Sequence, residues 1–297
     1  MRIRIRGFCF VGLAVAIALA GCGGTTAPVA KSPEADASQP GGGAVVADAA
    51  RAKSQDDGSL TTEEYVGFGL PAVDRDWSGD DLTRAESVLS GLSKRGYQIL
   101  PKYQSDRSGA VFARMTSVQN LTLLRNKSQS VDARFPQAIE YYDAGGRICK
   151  LYLAAYLKQG VKENELIELM GMQLRLAVVM LELVDEFLPT LKQNDPTYQS
   201  RLQGLEQMKQ GLASVVAGSL QTLRGRGKTS QSEIARLVGY MQETFPRVVP
   251  RLPLDARVET LVEVTRLRDD PAMQDVLPQL QELQSQVKAA LAKETDR

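Results

Sequence analysis

Residues 163–191 read ENELIELMGMQLRLAVVMLELVDEFLPTL. From Leu166 to Leu188 apolar residues fall on nearly every side of a helical projection, leaving a narrow polar stripe of Glu165, Glu168, Arg175, Glu182 and Glu186. A helix apolar over most of its circumference has to be surrounded by other helices. The stretch therefore predicts the centre of an all-α bundle, and Gln173, Arg175 and Glu182 inside it argue against a membrane span.

Working outward, the short Gln193-Asn194-Asp195-Pro196 link predicts an antiparallel partner helix over Thr197–Leu223, with Leu205, Met208, Leu212, Val216 and Leu220 on one face. Beyond it, helices are expected over Ser230–Phe245, Asp255–Arg268 and Pro278–Lys293, the first stopping at prolines 246, 250 and 253. Thr61 with Glu64 and Ser230 with Glu233 fit capping boxes, and Asp195-Pro196 and Asp270-Pro271 place an N-cap acceptor before a proline. On the amino-terminal side a helix is expected over Asp80–Lys94, ended by Gly96. Residues 97–115 are the least helical stretch. Tyr97, Ile99, Val111 and Phe112 flank the turn-like Ser105-Asp106-Arg107-Ser108-Gly109 and suit a minor β-hairpin packed on the helices. The expected fold is an irregular bundle of about six or seven helices, with a main domain over 59–250 and a carboxy-terminal helical hairpin over 251–297 packed on or extending it.

Gly23–Gly58 is rich in Gly, Ala, Pro, Ser and Asp and has no aromatic residue, which predicts a disordered linker with a reach of about 30–35 Å. Ahead of it, Arg2, Arg4 and Arg6 precede an apolar run from Phe8 to Leu19 of secretory-signal length. The run ends in Leu19-Ala20-Gly21-Cys22. These four residues resemble the signal of bacterial lipoproteins, in which the peptide is cut before the cysteine and the cysteine carries lipid. The resemblance covers only about the first 22 residues and implies a signal peptide over 1–21, cleavage between Gly21 and Cys22, and a lipidated linker over 22–58. It implies no cofactor beyond covalent lipid on Cys22, with palmitate among its acyl chains. It also implies a membrane-bound place in the bacterial cell envelope. Gly23, where the family's inner-membrane retention signal has Asp, favours the outer membrane facing the periplasm.

Composition narrows the chemistry. The chain has no histidine, which removes the commonest general base and metal ligand, and with them Ser-His-Asp and Cys-His sites within one chain. Removing the three signal arginines leaves 33 basic against 35 acidic residues, which is no footprint for nucleic acid. Cys149 would be the one free thiol, with no base in evidence to activate it.

Four constellations remain. Gly204, Gly211 and Gly218 recur every seven residues in one helix, at a cost of about 1 kcal/mol each in helix propensity. The row marks a helix-docking face, either internal, near Gly171, or offered to a partner helix. Glu182, Asp185 and Glu186 place three carboxylates within one turn, and read as an exposed stripe more readily than as a metal or acid/base site. Gly225-Arg226-Gly227-Lys228-Thr229-Ser230 shares only the tail of a phosphate-binding pattern, lacking its first glycine and preceding strand, so no nucleotide is expected. Tyr65, Phe68, Pro71 and Trp77 form an aromatic segment that reads as a lid across the bundle or as a docking motif.

The function these features imply is a non-catalytic, lipid-anchored envelope protein that docks or scaffolds a protein partner at the membrane surface. An apolar-ligand carrier with a site between helices is the first alternative, and a carboxylate-dependent cell-wall glycosidase the second.

Overall fold

A computed structural model describes residues 58–224 and 230–295; the signal, linker and lipidation readings, with Gly21 and Cys22, and most of the Gly225–Ser230 turn lie outside these residues. The described part is all-helical, with α1 (Thr62–Gly67), α2 (Gly79–Ser93), α3 (Gly109–Met115), α4 (Gln119–Leu124) and α5 (Val131–Gln159) in its first half. The second half holds α6 (Glu163–Phe187), α7 (Tyr198–Arg224), α8 (Gln231–Val248), α9 (Leu254–Arg268) and α10 (Leu277–Thr295).

The central helix is where its sequence puts it. Leu174, Leu176, Ala177 and Val179 of α6 are fully buried, because α5 covers one side, α8 the other, and α7 part of a third. α2 packs on α5, α10 on α8, α9 on α10, and α7 on α9, so one apolar core runs from Tyr65 to Ala290. Two glycines allow the closest contacts. A Cβ on Gly145 would lie 2.2 Å from Gln173 Nε2, and one on Gly171 would lie 2.4 Å from the Tyr240 ring.

Helix starts follow their capping residues. Thr61 and Glu64 form the reciprocal box, and Ser78 forms another with Asp81. Arg75 binds Asp81 through two 2.7 Å hydrogen bonds, and chiefly this, against burial that works the other way, holds the Asp81 carboxyl down to about 2. Ser230 accepts from the Glu233 amide at 3.4 Å. Asp195 does not cap α7 before its proline; its carboxylate accepts from the amide and hydroxyl of Thr197, making a turn, and α7 begins at Tyr198.

Three further expectations are corrected. Ten α-helices are found among the described residues rather than six or seven, because the amino-terminal region contributes the short α1, α3 and α4. No strand occurs among them, so the β-hairpin at 97–115 is absent: a 3₁₀ turn (Tyr97–Ile99) and α3 stand in its place. Its backbone groups find other partners. The Tyr65 hydroxyl donates to the Ile99 carbonyl, Lys162 Nζ to that of Leu100, and the Tyr152 hydroxyl to that of Pro101 at 2.9 Å. The Tyr103 amide donates to Glu165 Oε1 at 2.7 Å and the Lys102 amide to Ser108 Oγ at 2.9 Å. With these groups satisfied by side chains, pairing to a second strand has nothing to add. Finally, α8 runs through Pro246 to Val248. A proline so near the helix end forfeits one backbone bond, and burying Phe245, Val248 and Val249 offsets it.

Candidate functional site

The sequence of α9 carries two apolar faces. Val264 and Leu267 are buried with Arg257 and Thr260, whereas Leu254, Val258 and Val262, spaced four residues apart, are 56%, 47% and 43% exposed. That spacing puts them in one row along the helix surface. Beside the row lies a groove of about 510 Å³, open along one side, between α9 and α7. Its α7 wall is short and polar or small, with Gln210, Ala213, Ser214, Ala217 and Gln221; Leu220, Ala256 and Thr260 lie among its more buried residues.

Charge is distributed unevenly along this groove. At its carboxy-terminal end Arg224 of α7 reaches Glu263 of α9 at 3.5 Å, and Arg266 also pairs with Glu263. At the other end Asp255 and Glu259 are exposed and have no ion-pair partner among the described residues. The walls are therefore apolar and small in the middle, acidic where α9 starts and net basic where it ends.

The glycine row lies elsewhere on α7. Gly204, Gly211 and Gly218 are half-buried and none of them lines the groove. A Cβ at Gly204 or Gly218 would meet nothing within 4 Å, and one at Gly211 would lie 3.3 Å from the Tyr142 hydroxyl of α5. Gly171, which the sequence suggests as the row's internal counterpart, abuts Tyr240 of α8 instead. The Tyr142 hydroxyl is buried with no hydrogen-bond partner among the described residues, and burial raises its pKa.

The three carboxylates near the end of α6 are held by arginines from separate elements. Glu182 accepts from Arg125 at 2.7 Å and from Arg247, Asp185 pairs with Arg251 at 2.7 Å, and Glu186 with the buried Arg134. Burial pushes the Glu182 carboxyl up, but Arg125 and Arg247 together outweigh it and leave its pKa lowered. Among the described residues no group of three or more His, Cys, Asp or Glu side chains is placed to hold a metal ion.

A second ionic cluster joins α6 to α8. Glu168 accepts from Tyr240 Oη and from Arg236, each at 2.7 Å, and Arg175 binds Glu243 while lying 4.8 Å over the Tyr240 ring. It covers Glu168 and Arg175, the middle of the central helix's polar stripe. Cys149 is packed against the core, and burial pushes its thiol up to about 12, far from a reactive thiolate. Of the aromatic segment, Tyr65, Pro71 and Trp77 are buried; Phe68 is 46% exposed beneath Arg95. The segment is a lid whose indole N–H donates to the Ala72 carbonyl at 2.8 Å.

The exposed row of Leu254, Val258 and Val262 is the feature that sequence reasoning passed over. Its signal was present: apolar residues at i, i+4 and i+8 beside a second apolar face on the same helix. No family model, no curated protein and no solved structure matches this chain. No helix among the described residues is long and apolar enough to cross a membrane.

Proposed function

We propose that this is a non-catalytic cell-envelope lipoprotein, anchored through Cys22 and facing the periplasm from the outer membrane, whose helical body docks a helical partner in the α7/α9 groove. The observation that carries the docking reading is the uncovered apolar row of α9 running beside that groove. An amphipathic helix laid in a groove is held by apolar side chains at such spacings. Support for the anchor comes from Leu19-Ala20-Gly21-Cys22 alone, and lipid on that cysteine would hold the body at the membrane surface.

A photo-crosslinking residue at Val258, introduced in cells, tests the docking reading, with one at exposed Leu157 as the control surface. A specific protein adduct at 258 but not at 157 is the expected result; equal or no adducts at both would refute it. Replacing Cys22 by Ala tests the anchor independently, and continued lipid labelling would overturn it.

The volume of the groove also lies within the range of small-ligand sites. Its open side and charged ends suit a helix better than a small apolar molecule. A glycosidase draws least support, because Glu182, Asp185 and Glu186 are each engaged by an arginine, whereas that chemistry needs two carboxyls free to face a sugar.

A further inference from the structure

We infer that the partner received by the α7/α9 groove is a second copy of this chain, its α9 running antiparallel to the first; the inference rests on the docking reading above. The reason is the order of residues on α9 itself. Its amino-terminal part carries Asp255 and Glu259, which have no ion-pair partner among the described residues, its middle the exposed Val258 and Val262, and its end the exposed Arg266. A helix that fits this groove needs basic residues where α9 starts, apolar residues in the middle, and an acidic end facing Arg224 and Arg266. Turned end for end, α9 has that order.

The register follows from the spacing. If the two helices cross at Thr260, Val258 of each copy faces Val262 of the other. Arg266 then falls opposite Leu254, one residue from Asp255. Residues 255 and 266 are about 16 Å apart along the axis, so both ends of the contact are engaged at once. They also lie within about 20° of one another around the helix, on the side that lines the groove. The same contact occurs twice, related by a two-fold axis, as a closed dimer requires. Ala213, Ser214 and Ala217 on α7 leave the width that an incoming helix needs. The outcome would be a layer of four helices, α7 and α9 from each copy, covering the apolar row that the single chain leaves in water.

Charge reversal tests this with the full chain in detergent, its mass followed by light scattering over a concentration series. The wild type is expected to be dimeric. Asp255→Arg or Arg266→Asp alone should weaken the dimer by about tenfold or more, since each places like charges together at both ends. The two changes combined in one chain should restore it. Two anchors sharing a micelle would be indifferent to these signs. Circular dichroism at each variant guards against loss of fold, and Val258→Ser, which removes apolar area without altering charge, gives a second route to a weaker dimer. A wild type that stays monomeric up to about 100 µM overturns the inference, as does a dimer whose strength ignores the reversals. The crosslinker at Val258 separates the two failures. An adduct with a different protein beside a monomeric wild type leaves docking standing without the second copy, whereas a monomer with no adduct removes both.

Discussion

The central helix α6 and the flanking helix α9 are both apolar on more than one side, yet the molecule treats them differently. Around α6 every apolar residue from Leu166 to Val184 is buried, and its polar stripe meets Tyr103, Arg125, Arg134, Arg236, Tyr240, Glu243 and Arg247 from the neighbouring elements. Along α9 one face is buried against α10 and the other, Leu254, Val258 and Val262, stays exposed. Apolar pattern alone therefore does not tell a core helix from a flanking helix that keeps one apolar face exposed. The neighbours decide.

The sharpest way to break this contrast is to remove matched groups from each helix. Leu174→Ala should cost about 2–5 kcal/mol by denaturant unfolding, because the site is enclosed by α6's neighbours and cannot collapse. If Leu174→Ala proved nearly neutral, α6 would not be the core. Gly171→Ala comes next, at about 1–3 kcal/mol, since its methyl would strike the Tyr240 ring. An undiminished melting temperature would refute that contact.

Acid should reach the amino-terminal side of the core through Asp81. Its folded pKa of about 2 lies below the ordinary 3.8, so the stability it contributes is fully present above that ordinary value and is lost as pH falls through the folded one. Arg75 is half-exposed, which discounts the contribution to about 1 kcal/mol. Asp81→Asn should thus be less stable than wild type at pH 7, with the gap closing as pH falls from about 4 through 2. A gap that persists at low pH would assign the effect to something other than charge.

On the flank the signs change. Gly204→Ala and Gly218→Ala should each stabilise by roughly 0.5–1 kcal/mol, because the added methyl meets open space and improves helix propensity. Destabilisation at both would mean that another chain covers this side of α7. The smallest effect is expected at Val258→Ser, within about 0.5 kcal/mol for the monomer, as for other exposed positions. A loss comparable to Leu174→Ala would erase the distinction between the two helices.

Much of this architecture was readable from local pattern. The helices expected over 230–245, 255–268 and 278–293 differ from α8, α9 and α10 by only a few residues at each end, since apolar periodicity and nearby caps are local signals. The segment from Tyr97 to Ser108 was not readable, because Tyr65, Tyr152, Lys162 and Glu165 hold it from 34 to 62 residues away. No window of sequence contains both partners. The groove was half readable: the apolar row is plain in the order of residues, but its exposure depends on where α7 and α10 lie. For Gly204, Gly211 and Gly218 the spacing was legible and its meaning was not. Only at Gly211 does another helix come near, through Tyr142.

Trp77 has a practical consequence. It is the chain's one tryptophan, sealed in the core just before α2, with its amide donating to Asn120 at 2.9 Å. Ultraviolet emission thus comes with a single address near the amino-terminal helices, while circular dichroism sums over all of them. Superimposable unfolding curves from the two would mean that α9 and α10 melt together with the ground beneath the indole. Curves that part would time the flank against the core within one molecule, without any added label.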